Sequence, residues 1–231
     1  LLFVTEGLLL RMLVGGEGLE GVGAILFDEF HERHLEGDVG LGLAVERQRM
    51  GWEGRIGVFS ATLETGNLGR YLPEAGVLES EGREHPVETV WLGGNGREPV
   101  WERAASGFRK AVRDGAEADF LVFMPGRHEI NRTVSAIAAQ PEARGWEVVP
   151  LHGELEAAAQ DRAIEAGPRP KVIVSTNIAE TSLTLPGIRT ILDSGLARIP
   201  DYDPRRGVNT LLTEKISRAS AEQRAGRAGR S

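Results

Sequence analysis

Ala24-Ile25-Leu26-Phe27-Asp28-Glu29-Phe30-His31 is a short apolar run that stops on two acids. An apolar run of strand length closed by polar residues is the pattern of a buried parallel strand. In open α/β sheets ligands gather outside the carboxyl ends of the strands, so the residues just after such runs are where chemistry is expected. Three further runs end in the same way: Ile56–Phe59 in Ser60-Ala61-Thr62, Leu121–Phe123 in Met124-Pro125-Gly126, and Val172–Val174 in Ser175-Thr176-Asn177. Together they form one rim of polar groups.

Working outward, apolar runs alternate with segments of helical period along the whole chain, which predicts an α/β fold with parallel sheets. Strands are expected near 24–27, 56–59, 77–80, 119–123, 147–150, 172–175 and 189–193. Helices are expected over 5–14, 38–50, 66–72, 98–113, 127–139, 155–166 and 217–226. Periodicity is lost around Glu81-Gly82-Arg83-Glu84-His85-Pro86, and Gly93-Gly94-Asn95-Gly96 follows soon after. Proline and glycine clusters of this kind mark a junction, giving a first domain over 1–84 and a second over 85–231. The first is too short to be a complete α/β domain. Leu1-Leu2-Phe3-Val4 reads as the inside of a strand, and Ser231 follows a glycine-arginine run without a cap. The expectation is an internal piece of a longer chain.

The 231 residues contain no cysteine, which removes disulfides, thiolate catalysis and cysteine-ligated zinc and suits a reducing cytoplasm. No stretch approaches the ~18 uninterrupted apolar residues of a membrane helix, so no membrane partner is expected. The net charge of −7 argues against coating nucleic acid by bulk attraction, yet the charge is uneven. Arg205, Arg206, Lys215, Arg218, Arg224, Arg227 and Arg230 face only Glu214 and Glu222 in the last stretch, so positive charge collects at one end.

Asp28 is suited to hold Mg²⁺ on nucleotide phosphates, because one hard carboxylate at a strand tip leaves the remaining octahedral sites to phosphate and water. Glu29, from the same turn, can orient or deprotonate an attacking water and share in metal binding. An isolated Asp-Glu pair is more often a loop acid before a helix. At the other end stands Gln223-Arg224-Ala225-Gly226-Arg227-Ala228-Gly229-Arg230. Its glycines permit close backbone approach, and Arg227 and Arg230, three residues apart, can present two planar forks to a γ-phosphate, with Gln223 one turn earlier. Arginine fingers of this sort are worth about 10³–10⁵ in turnover. The plain alternative, a solvated basic helix, has no use for two glycines so spaced.

Asp28-Glu29-Phe30-His31-Glu32-Arg33 resembles motif II of DEAH-type superfamily 2 helicases, in the Phe-containing form of HrpB-like proteins. Thr5-Glu6-Gly7 with Leu8-Leu9-Leu10-Arg11 resembles motif Ib, Ser60-Ala61-Thr62 motif III, and Phe123-Met124-Pro125-Gly126 motif IV. Ser175 through Thr184 is similar to motif V and Gln223 through Arg230 to motif VI. The order matches and the resemblance covers the whole chain.

The resemblance implies two RecA-like parallel-sheet domains, the first incomplete, with ATP or another NTP and Mg²⁺ in the cleft between them. It implies an ATP-dependent RNA helicase that moves on single-stranded RNA, with structured RNA or DNA as further partners. By resemblance Glu29, Ser182, Gln223, Arg227 and Arg230 carry the hydrolysis, while His31, Ser60 and Thr62 couple nucleotide state to strand separation. Thr5, Arg11, Thr176 and Asn177 would then face the nucleic-acid backbone. Pro186 stands where relatives often carry an acid that contacts the ribose, so the resemblance does not extend to that contact. A DNA-directed translocase and a non-catalytic RNA-binding scaffold are the rival readings.

One component is missing. The three lysines, Lys110, Lys171 and Lys215, do not follow glycines, so no Gly-Lys-Ser/Thr phosphate loop exists in this sequence. The 231 residues by themselves are expected not to hydrolyse ATP.

Overall fold

The computed structural model describes residues 1–15, 19–60, 65–72, 74–79, 85–93, 97–180, 183 and 185–230, with 65–67 and 230 described as backbone only. The chain divides into two compact units, Leu1–Glu79 and Ser80–Ser231.

In the first unit the order is α1 (Glu6–Gly15), β1 (Ala24–Phe27), α2 (Leu35–Arg49), β2 (Arg55–Val58) and α3 (Thr65–Tyr71). Strands β1 and β2 pair in parallel, with Phe27 opposite Val58. Alternate residues of β1, Ile25 and Phe27, are buried, because period-two side chains send them to the face that α1 and α2 cover with Leu13, Leu41, Ala44 and Val45. Arg47 ties the two helices by donating to the Leu13 carbonyl at 2.6 Å.

The second unit runs α4 (Val100–Arg113), β3 (Asp119–Phe123), α5 (Arg127–Ala138), β4 (Glu147–Leu151), α6 (Ala157–Ile164), β5 (Lys171–Ser175), β6 (Ile188–Asp193), β7 (Leu196–Asp203), β8 (Val208–Lys215) and α7 (Arg218–Gly226). Its main sheet has the order β4-β5-β3-β6, all parallel. Strands β3 and β5 lie in the middle, which is why Phe120–Phe123 and Val172–Val174 read as unbroken apolar runs. Phe120, Val122, Val172 and Val174 face one core with Phe108 and Ile130, while Leu121, Phe123 and Ile173 face the other with Leu151 and Ala163. Phe108, Phe120 and Trp146 meet edge to face at centroid distances of 5.1, 5.6 and 5.2 Å. Lys171, itself buried, turns its ammonium onto the carbonyls of Arg162 and Glu165 and closes the C-terminus of α6.

Two expectations are corrected. Residues 77–79 form no strand: Val77 and Leu78 are exposed, and without a neighbouring strand an apolar run gains nothing from an extended pairing. The purely parallel picture also misses β7–β8, an antiparallel ribbon in register from Leu196↔Lys215 to Asp203↔Val208. Its tight end is built by Asp203, whose Oδ1 accepts from the N–H groups of Arg205 and Arg206, and by Gly207 at φ 66°. The ribbon is exposed on most of its length, so the alternation of buried and solvated residues that marks a strand in sequence is absent.

Candidate functional site

In the first unit the polypeptide leaves β1 and turns sharply. Asp28 is exposed, and its Oδ1 accepts from the Glu29 N–H at 2.9 Å, which fixes the carboxylate at the strand tip. Glu29 adopts the left-handed conformation, φ 49° and ψ 34°, as does Arg33 after the single 3-10 turn Phe30–Glu32. Two non-glycine residues held at positive φ within six positions store strain that the surroundings must hold in place. Part of that hold comes from Phe59, which donates its N–H to the Phe27 carbonyl at 2.8 Å and accepts the Phe30 N–H at 3.0 Å. The backbone leading to Ser60 is thus bonded to both sides of the acid turn. The His31 Nδ1 lies 3.5 Å from the Glu29 carboxylate, with the imidazole almost entirely buried. Ser60 is half-buried; Thr62 lies outside the described residues.

The turn presents two adjacent carboxylates, Asp28 and Glu29, and an Mg²⁺ ion that keeps waters and phosphate oxygens needs only one or two.

Thr5 stands before α1, with its carbonyl accepting from Leu8 and Leu9 and its hydroxyl facing the Leu8 N–H at 3.4 Å, so it starts that helix. Arg11 lies exposed on the same helix. His34 bridges Glu6 of α1 at 3.1 Å and Glu32 at 3.3 Å, joining the helix start to the turn after the acids.

In the second unit the candidate groups come from the residues just after β5, from Thr176 to Glu180, and from the segment that begins with α7. Thr176 caps the 3-10 turn Asn177–Ala179, its hydroxyl accepting from the Ile178 N–H, and Asn177 is exposed beside it. Ser182 lies outside the described residues. On the same rim the buried His152 Nδ1 and Ser175 Oγ have no hydrogen-bond partner among the described residues. Ser217 caps α7 by accepting the Ser220 N–H. The helix then tightens into a 3-10 turn over Arg227–Arg230, in which positions three apart eclipse one another. Gln223 therefore stands in α7, and Arg227 and Arg230 stand in the 3-10 turn that follows it, with their backbone positions on one side.

Gln223 is half-buried. Arg227 is buried and donates from Nε and Nη2 to the Glu180 carbonyl at 2.8 and 2.5 Å and from Nη1 to the Leu183 carbonyl at 2.6 Å. In this conformation its fork braces the loop after β5. Arg224, for which the sequence suggested no role, is 1% exposed. Its Nε pairs with Glu180 at 2.7 Å and its Nη1 with Asp193 at 2.9 Å, over the Phe123 ring at 4.6 Å. The signal available in sequence was weak: Asp193 is the acid at the end of an apolar run, Glu180 follows the polar stretch after another, and a buried basic partner has to come from elsewhere in the chain.

Comparison with known proteins identifies the family. The family model described as helicase conserved C-terminal domain matches residues 107–231. The chain is 40% identical over 232 residues to the ATP-dependent RNA helicase HrpB of Escherichia coli, covering 98% of this chain and 28% of that protein. It is 35% identical to the chloroplastic ATP-dependent RNA helicase DEAH11 of Arabidopsis thaliana, covering 99% of this chain and 13% of the relative. A crystal structure of the Escherichia coli DEAH/RHA helicase HrpB superposes with a TM-score of 0.87 at 40% identity, over 98% of this chain and 29% of that one. A second, of the Escherichia coli DExH-box NTPase HrpB, gives 0.85 at 39% identity. The fold is accordingly the RecA-like α/β type of these helicases. The chain belongs to the helicase conserved C-terminal domain family, in its DEAH-type, HrpB-like branch.

Proposed function

We propose that this chain is the part of an ATP-dependent RNA helicase that supplies the metal-binding acids and the arginine fingers of its NTPase. The observation that supports this reading best is the acid turn itself: Asp28 and Glu29 sit at the tip of a parallel strand, in a strained backbone bonded on both sides to Phe59. Asp28, assisted by Glu29, would hold Mg²⁺, which when bound neutralises charge developing on the transferred phosphoryl group. Glu29 takes the proton of the attacking water, and Ser182 and Gln223 orient that water. His31, Ser60 and Thr62 couple nucleotide state to strand separation.

Arg230 and Arg227 stabilise the γ-phosphate. For Arg227 this requires exchange of the Glu180 and Leu183 carbonyls for phosphate oxygens, and hydrogen bonds from a guanidinium to an anion are about twice as strong as those to neutral acceptors. Thr176 and Asn177, with Thr5 and Arg11, contact the backbone of single-stranded RNA, an interaction that is salt-sensitive and weakly sequence-specific. A cytoplasmic location is part of this reading; among the described residues no helix is long and apolar enough to cross a membrane.

The test uses the full-length protein. NTP turnover is measured alone, with single-stranded RNA and with single-stranded DNA, for the wild type and Glu29→Gln. Stimulation by RNA above DNA, and loss of turnover in Glu29→Gln by about 10²–10⁴, are the expected results. Unchanged turnover in Glu29→Gln removes the catalytic assignment.

A further inference from the structure

We infer that Arg224 is a positioning residue that makes the arginine segment, the loop after β5 and the root of the β7–β8 ribbon move as one piece, so that nucleic-acid contact and phosphate contact are mechanically linked within the second unit. The inference rests on the helicase reading above and adds to it a residue that touches neither ligand.

A guanidinium at 1% exposure is an expensive choice for a helix that could have packed with an apolar residue. Replacing a buried ion network by well-packed apolar side chains is often neutral or stabilising, so stability alone does not account for it. Geometry does. The fork spends different edges on different elements: Nε on the Glu180 carboxylate in the loop, Nη1 on Asp193 at the end of β6 and, at 3.4 Å, on the Leu196 carbonyl at the start of β7. A planar fork satisfied in two directions tolerates little displacement of any partner.

The partners are themselves committed. Asp193 Oδ1 also accepts the Gly195 N–H at 2.8 Å and so shapes the turn that launches the ribbon. Farther along β7, Arg198 lies over Gly126, where its guanidinium would stand 2.6 Å from an added Cβ, and reaches Glu129 at 3.8 Å. Glu180 is gripped at both ends, its carboxylate by Arg224 and its carbonyl by Arg227. Thr176 and Asn177 precede Glu180 by one 3-10 turn. A shift of that turn on binding RNA is therefore passed through residue 180 to both arginines, and Arg227 is one of the two proposed fingers.

The experiment uses the full-length protein and two variants. Arg224→Lys keeps the charge but lacks the fork. The triple variant Arg224→Met, Glu180→Gln, Asp193→Asn removes the charges together, so that no carboxylate is left buried and alone. Thermal melting reports folding. The functional readouts are the ratio of ATP turnover with saturating oligouridylate to turnover without it, and the dependence of oligouridylate affinity on a non-hydrolysable ATP analogue. In both variants the stimulation ratio is expected to fall about fivefold or more, and RNA affinity to lose its dependence on the analogue, while the protein still melts cooperatively. Wild-type ratios and a wild-type analogue effect in either folded variant overturn the inference and leave the helicase reading standing. A wild-type protein with no RNA-stimulated turnover overturns both.

Discussion

The carbonyl of Gly229 accepts the N–H of His85 at 3.1 Å, and a Cβ added to Gly229 would stand 2.9 Å from the carbonyl oxygen of His85. The segment entering the second unit is thus pressed against the residue just before Arg230, with no room for a methyl group. The requirement is one of space, since the close atom is backbone and cannot swing away.

Gly229→Ala should therefore destabilise the chain by about 1–3 kcal/mol, the usual range for overpacking. Gly226 has no heavy atom within 4 Å of an added Cβ, so Gly226→Ala should not show this steric cost. Urea midpoints of the two variants, measured side by side, check the difference.

Arg227→Ala leaves the Glu180 and Leu183 carbonyls without their donor, which costs about 1–3 kcal/mol of stability. In the full-length enzyme the same change should lower ATP turnover by about 10³ or more, as for other arginine fingers. Arg227→Lys should recover part of the stability and little of the turnover, because an ammonium cannot present a bidentate fork. Steady-state kinetics and denaturant melts on the same preparations separate the two effects.

Phe108 is fully buried and meets both Phe120 and Trp146 edge to face. Phe108→Ala should cost about 3–5 kcal/mol, and Phe108→Leu less, since it keeps more of the volume. Near-ultraviolet circular dichroism of Trp146 should weaken in both. Native-like urea midpoints for Phe108→Ala would contradict the packing described.

The Glu142 carboxyl is held below the ordinary value of 4.5, chiefly by a hydrogen bond from its own backbone N–H; loss of solvation opposes this, and the guanidinium groups of Arg113 and Arg109 add to the lowering. A folded-state value below the unfolded one adds stability above the unfolded pKa and loses it as pH falls through the folded pKa. Glu142→Gln should consequently be less stable than wild type at neutral pH, with the gap closing in acid. Urea unfolding at neutral pH and below the carboxylate range measures both ends.

The 231-residue chain, purified alone, should show no NTP turnover above background, because it contains no Gly-Lys-Ser/Thr phosphate loop. A colorimetric phosphate assay with oligouridylate present is sufficient to detect the contrary.

Apolar runs and the polar residues after them were enough to read most of the α/β layout and the rim of candidate groups. Val172–Val174 and Phe120–Phe123 announce central strands because parallel strands covered on both faces are apolar throughout. Asp28, Glu29, Thr176 and Asn177 could be picked out because a residue's place at a strand tip depends only on where its own strand stops. The β7–β8 ribbon could not be read in this way: its residues are mostly solvated, and its pairing depends on a turn centred on Asp203 and Gly207. Nor did residues 77–79 betray that no partner strand awaits them.

The partners of the arginines were decided by tertiary structure alone. In the run Gln223 to Arg230 spacing singled out Arg227 and passed over Arg224, yet Arg224 is stacked on Phe123 and paired to two acids while Arg227 holds two carbonyls. Linear spacing specifies which side chains share a local direction. Which carboxylate or carbonyl stands opposite them, 28 to 47 residues away in sequence, is set only when β5, β6 and α7 pack together.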